Sequence, residues 1–155
     1  MRYSKVHKLK KGGETIELRS AGAGDAEAMI ALLNRVDRQT KYLSREPGEF
    51  LASLEDEANW LRNTENDEKS LQLIAFYGDE AVGACGISPI SLKRRFLHRA
   101  SLGMMVEQSL WGRGLGRLML EESIELCKKA GFEQVELEVT AGKPAGDRAV
   151  FKLRF

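Results

Sequence analysis

The stretch from Arg99 to Thr140 changes its hydrophobic period twice, and those changes leave few folds open. Arg99 to Val106 is strand-like. Trp111 to Gly116 is a loop with Gly112, Gly114 and Gly116 at alternate positions. Leu115 to Ala130 then carries Leu115, Leu118, Met119, Ile124, Leu126 and Cys127 at helical spacing. Lys128 and Lys129 suit the negative end of a helix dipole, and Gly131 suits the left-handed position past its cap. Val135, Leu137 and Val139 next alternate with Gln134, Glu136 and Glu138 as a further strand. Strand, helix and strand at this spacing predict a right-handed crossover with the two strands parallel in one sheet.

The rest of the chain continues in the same alphabet. Residues 1–13 form a basic, polar arm expected to be flexible, and Thr15 to Arg19 alternates through Ile16 and Leu18 as a half-buried first strand. Asp25 stands where an N-cap would accept amide hydrogen bonds. Ala28, Met29, Leu32, Leu33 and Val36 follow at helical spacing and predict a helix over 26–37. After the breaker run Ser44-Arg45-Glu46-Pro47-Gly48, the residues Phe50, Leu51, Leu54, Ala58 and Leu61 mark one face of a second helix over about 49–62. Leu71 to Tyr77 is rich in β formers, and Gly78-Asp79 can turn tightly into a partner strand, Ala81 to Ser88. Strand, two helices, hairpin, strand, helix and strand together make a mixed α/β sheet with helices packed upon it.

At 155 residues, 43% apolar and 30% charged, the chain suits one soluble globular domain spanning 1–155. No run approaches the roughly 18 apolar residues of a membrane span, and no apolar signal segment follows the basic N-terminus, so a cytoplasmic location without membrane attachment is expected. The net charge of +1 argues against broad nucleic-acid binding. Acids nevertheless cluster over 46–68, as Glu46, Glu49, Glu55, Asp56, Glu57, Glu65, Asp67 and Glu68. Such a run is either solvated surface or a field that attracts a cationic substrate. Cys85 and Cys127 lie far apart without a His cluster of metal-ligand spacing, and are expected to be buried thiols, with no metal site.

Glycines at 112, 114 and 116 directly before a helix let backbone amides approach an anion, since no Cβ intervenes and the helix dipole favours negative charge there. Arg113 and Arg117 can add charged hydrogen bonds. A helix start with glycines for close packing would read the same way from spacing alone. Two other phosphate loops fit poorly. An ATP or GTP loop wants Lys followed by Ser or Thr, where Arg117-Leu118 stands, and the dinucleotide fingerprint wants glycine at position 117. A pyrophosphate carried by coenzyme A remains.

The run Val106-Glu107-Gln108-Ser109-Leu110-Trp111-Gly112-Arg113-Gly114-Leu115-Gly116, followed by Leu118-Met119-Leu120, resembles the acetyl-CoA-binding motif of the GNAT N-acetyltransferase superfamily. That motif is Gln or Arg, two residues, Gly, one residue, then Gly or Ala, with Trp111 here where Gln or Arg is common. The order of elements over about 15–140 is also similar to that family. The resemblance implies a mixed, mostly antiparallel central sheet flanked by helices, with 99–140 as a parallel strand–helix–strand unit that binds acetyl-CoA. Amides of Arg113, Gly114, Leu115, Gly116 and Arg117, beside Gly112, would hold the pyrophosphate. Met104, Met105 and Val106 would pair with the pantetheine arm as an added strand. Trp111 would cover the cofactor or, as the expectation favoured here, pack in the core.

The implied reaction is direct attack of a primary amine, on a small molecule or a peptide, upon the thioester. Ser101 occupies a position where the family often has a Glu base, and a hydroxyl cannot replace a carboxylate there at neutral pH. Glu107 is close by but reads more readily as a loop acid, so Ser101 and Glu107 are candidates only and the base is unassigned. In the family a helix bearing a Tyr proton donor and two closing strands follow the strand that ends near Thr140. Here Arg148-Ala149-Val150 resembles the start of that helix, no Tyr follows before Phe155, and an altered or truncated end is expected. An open sheet edge would then suit a partner chain, which makes a homodimer one expected consequence. The alternative to an enzyme is a weak or inactive acyl-CoA-binding module with a sensing or interaction role.

Overall fold

The computed structural model describes residues 1–39, 52–140 and 148–155. Seven strands form one sheet in simple sequence order: β1 (Ser4–Lys8), β2 (Thr15–Ser20), β3 (Leu71–Tyr77), β4 (Glu80–Pro89), β5 (Arg99–Val106), β6 (Gln134–Thr140) and β7 (Arg148–Arg154). Neighbours are antiparallel except β5 and β6, which run parallel and are joined by helix α3 (Leu115–Lys129). Helices α1 (Ala26–Gln39) and α2 (Leu54–Asn66) cover the opposite face.

Each face has its own core. Ile16, Leu18, Leu73, Ile87 and Leu102 point toward α3 and meet Leu115, Met119 and Cys127. Ile74, Ala81 and Ala84 point the other way, against Met29, Leu32, Val36 and Leu61. The seat of α3 is set at Gly83 of β4. A Cβ there would lie 3.1 Å from Met119 Cε, 3.3 Å from Leu115 Cδ2 and 3.3 Å from the Met105 carbonyl oxygen, tighter than most packed carbons, so its neighbours would have to give by a few tenths of an ångström. Glycine thus lets the helix lie directly on the strand. Cys85 and Cys127 are free thiols in this core, and burial pushes them up to about 11 and about 12.

The hairpin at Gly78 and the end of α3 at Gly131 agree with expectation, both glycines having positive φ, 63° and 84°. Several expectations need correction. Residues 1–13 are not a free arm, because β1 ladders onto β2 and Leu9 is buried in the α3-side core. The Tyr3 hydroxyl also donates to Glu122 of α3 at 2.8 Å. No apolar alternation announced β1, since backbone pairing holds it while four of its five side chains lie exposed. Helix α2 starts later than predicted, at Leu54, where the Ser53 hydroxyl accepts from the Asp56 amide at 3.1 Å. The predicted segment 49–51 lies outside the described residues. Arg148-Ala149-Val150 opens a strand, not a helix, and β7 pairs with β6 from Thr140↔Arg148 to Gln134↔Arg154.

Asp25 does not cap α1 as expected. It ends a 3-10 turn, Ala23–Asp25, and its carboxylate turns back to accept from Arg19 Nη1 at 2.7 Å, Arg19 Nη2 at 2.8 Å and the Gly22 amide at 2.8 Å. The Arg19 hydrogen bonds, outweighing burial, hold its carboxyl below the ordinary 3.8. A depressed native pKa contributes stability that is present above the unfolded value and lost as pH falls through the native one. Asp25→Asn should therefore cost about 1–2 kcal/mol at pH 7. Urea titrations at decreasing pH should show the gap between the two proteins closing below pH 3.8.

Candidate functional site

Antiparallel pairing fixes which side of β5 each peptide group serves. The bonds from Ile90 N to Arg99 O and from Glu107 N to Val82 O put the odd-numbered residues of β5 onto β4. The even-numbered residues therefore aim at β6. Ala100 and Leu102 find partners there, opposite Val135 and Leu137, and then the pairing stops. Beta-6 continues beside β7 to Thr140, while β5 continues beside β4 to Val106, so the two parallel strands part. Met104 and Val106 are left with polar backbone groups directed into the gap. Met105, grouped with them on sequence, instead bonds β4 and turns its side chain toward α1.

The gap leads to the glycine loop. Gly112 and Gly114 have φ of 72° and 92°, and Gly114 caps α3 in the left-handed conformation without a side-chain cap. The amides of Gly112, Gly114, Leu115, Gly116 and Arg117 have no acceptor among the described residues, and no atom lies within 4 Å of where a Cβ on Gly112 or Gly114 would stand. Five unpaired donors at a positive helix end make a pre-formed anion site. Beside it lies a cavity of about 380 Å³ whose walls include Lys8, Lys10, Lys11, Arg113, Gly114 and Arg117. Arg113 is braced by Glu14 across 2.8 Å, and Arg117 pairs with Glu121 at 2.8 Å on the helix surface.

Trp111 is not in the core, being 46% exposed, and Leu110 takes the buried place instead. Its indole Nε1 donates to Val106 O at 2.8 Å, so the ring closes one end of the gap and satisfies one of the two free carbonyls.

The same segment carries a family signature. Residues 35–154 match the model of the acetyltransferase (GNAT) family, which is most of the chain. The chain belongs to that family. Among solved structures it is similar to an acetyltransferase of the GNAT family from Streptococcus pneumoniae, at 28% identity and a TM-score of 0.77, over 81% of this chain and 75% of that one. It is also similar to a ribosomal-protein-alanine N-acetyltransferase from Brucella melitensis, at 27% identity and a TM-score of 0.69, with the same coverage. The fold of yncA from Salmonella typhimurium, a structure with its cofactor acetyl-CoA, matches with a TM-score of 0.74 over 90% of this chain and 93% of that one, at 14% identity. No curated protein matches the chain.

Within this GNAT fold the two candidate bases part company. Ser101 is exposed on β5, opposite Ser88 on one side and Glu136 on the other. Glu136 is itself engaged by Arg99, whose hydrogen bonds hold its carboxyl below the usual range. Glu107 is nearly buried and saturated: it accepts from Gln39 Nε2 at 2.8 Å, from the Ser109 amide at 2.9 Å and from the Ser109 hydroxyl. Burial alone would push its carboxyl up, but the Ser109 and Gln39 hydrogen bonds and the charge of Arg35 outweigh it and hold it low. Gln39 also accepts from the Gln108 amide at 2.8 Å, so Glu107 and Gln39 clamp the end of α1 to the exit of β5. A carboxylate so employed is a structural clamp, a role its place in the sequence did not reveal. Glu107→Ala should lower unfolding free energy by about 2 kcal/mol through orphaned donors. Ser101→Ala, judged by the same chemical denaturation, should stay within about 0.5 kcal/mol of the parent.

Proposed function

We propose that this protein is an acetyl-CoA-dependent N-acetyltransferase acting on a primary amine. One observation carries the reading: the gap in which β5 leaves β6 opens toward five unpaired amides at the start of α3. A pantetheine arm is an extended chain of amides, and it would pair with Met104 and Val106 as a strand added to β5. The pyrophosphate would take the amides of Gly112, Gly114, Leu115, Gly116 and Arg117, the Arg113 amide being given to Leu110 O at 3.4 Å, in the field of Lys8, Lys10, Lys11, Arg113 and Arg117. Family membership and the acetyl-CoA bound by yncA, which shares the fold, support the choice of cofactor.

When bound, the cofactor supplies an activated acetyl group as a thioester. The protein's part is to hold the carbonyl near the end of β5, to keep the acceptor amine in line with it, and to present a backbone N–H to the oxygen as it gains charge. The N–H groups of Met104 and Val106 are the donors available along the gap. Trp111, tied to Val106 O, keeps water from that end.

Gly116 offers a clean test. It is an ordinary helical position, where a Cβ would meet only Val106 Cγ2 at 3.8 Å and Met104 Sδ at 3.9 Å, so a side chain fits without strain. Gly116→Asp should fold at least as stably as the parent, since an acid suits the first turn of a helix. It should also lose acetyl-CoA binding in calorimetric titration, because its carboxylate occupies the anion site. Unchanged binding by the folded variant would sink the reading.

A further inference from the structure

On the α1 and α2 side of the sheet lies a second cavity, of about 470 Å³, lined by Met29, Leu33, Glu57, Trp60, Gln72 and Met105 together with Ala52 and Asp56. Its volume is that of a small-molecule site. It shares β5 with the gap, for Met105 is the wall residue and its neighbours Met104 and Val106 are the ones whose backbone faces the gap. Two residues before Met105, Gly103 has nothing within 4 Å of its absent Cβ, and its cross-strand partner is Gly86. The floor running from the cavity along β5 is therefore open at Gly103, while the Gln72 side chain lies over Gly86, its Oε1 2.8 Å from where a Cβ would stand.

Glu57 is the anomaly in this cavity. Helix α2 buries two residues, Glu57 and Leu61, one turn apart on the face toward α1. Leu61 packs in the core, whereas position 57, where an apolar residue would serve, holds a carboxylate only 6% exposed. Among the described residues its side chain has no hydrogen-bond or ion-pair partner. Burial raises its pKa above the ordinary 4.5, with no compensating group. A buried, unpaired acid costs stability, and it is kept where a ligand completes it. Among the described lining residues Asp56 is the other titratable group, and none is basic.

We propose that this cavity is the acceptor site, that it takes alkyl or aralkyl amines lacking a carboxylate beside the nitrogen, and that Glu57 seats the ammonium and removes its proton. The inference rests on the acetyl-transfer reading. The carbon arm lies among Met29, Leu33, Trp60 and Met105, and Trp60, half exposed at the mouth, can face the cation with its ring. An amino-acid carboxylate would be pressed against Asp56 and Glu57, with no cation among the described lining residues to receive it. In the reaction the ammonium passes one proton to the Glu57 carboxylate, and the freed nitrogen pair attacks the thioester carbonyl carbon. The resulting adduct breaks its C–S bond with the electron pair going to sulfur. The remaining excess proton on nitrogen goes to the thiolate, giving the N-acetyl amine and free coenzyme A, and Glu57 returns its proton to solvent.

Phenethylamine and phenylalanine differ only in the carboxylate and serve as matched probes. With acetyl-CoA present, release of free thiol should be at least ten-fold faster per kcat/KM with phenethylamine. Glu57→Gln should lower that kcat/KM about 100-fold, the usual range for a general base, and should abolish the acid limb of its pH profile. The variant should also melt higher than the parent at pH 8. A raised native pKa makes the parent lose stability as pH climbs from 4.5 through that pKa, and the glutamine has no such loss, so the gain should vanish below pH 4.5.

Binding can be read without turnover, because Trp60 and Trp111 are the only tryptophans. In a Trp111→Phe background, phenethylamine should saturably change Trp60 emission, and adding Glu57→Gln should demand at least ten-fold more amine. Acetyl-CoA binding with amine turnover that ignores Glu57→Gln, or that favours phenylalanine, would overturn the site while leaving the acetyl-transfer reading intact. A Glu57-dependent Trp60 response in a protein that does not bind acetyl-CoA would do the reverse, sustaining the amine site and removing the transferase. No Trp60 response and no turnover would overturn the inference outright.

Discussion

The contact of α3 with the sheet at Gly83 is the constraint on which the other features depend. Without a Cβ on Gly83, Leu115 and Met119 settle directly on β4, and the first turn of α3 comes down beside the end of β5. That placement sets the free amides of the glycine loop against the gap between β5 and β6. A side chain there would have to press Met119, Leu115 or the Met105 carbonyl back by a few tenths of an ångström, at the place where the helix start meets the end of β5. Packing and chemistry are here one problem, solved at one position.

Beta-5 divides its resources by parity. Odd-numbered peptide groups hold β4, and even-numbered ones hold β6 as far as Leu102 and then face the gap. Side chains alternate as well, with Ala100 and Leu102 in the α3-side core and Met105 facing α1. One strand of eight residues thus touches the sheet on both edges, both cores, the cofactor gap and the second cavity. Both cavities take their charge from elsewhere, a basic wall from β1 and the turn after it and an acidic one from α2, so each can attract a ligand of opposite sign.

Most of the fold was legible because its periods are clean. The β3–β4 hairpin, α1 and the crossover over 99–140 all appear in the structure where the apolar spacing put them. The misses have physical causes. Beta-1 is held by backbone pairing with its side chains largely in solvent, so no hydrophobic alternation marks it. Beta-7 does alternate, Phe151 and Leu153 against Lys152 and Arg154, but its opening residues Arg148-Ala149-Val150 suit a helix equally and resemble the start of the family's helix. Asp25 has the composition of a cap, yet the guanidinium of Arg19 captures it, a pairing no local window shows. At the site, the glycine loop was readable from spacing. Glu57 was not, because an acid among acids looks like surface until the helix face it occupies is known to be inward.

The pair of Arg113 with Glu14 joins residues 99 positions apart. Arg113 belongs to the anion-binding loop and Glu14 to the turn between β1 and β2, so the loop is braced by a segment far from it in sequence. The β1–β2 hairpin joins the sheet through β3, and α3 packs on that sheet from the same side. The anion site therefore rests on a contact of high sequence separation, and it is complete only when the β1–β2 hairpin and α3 are both in place on the sheet.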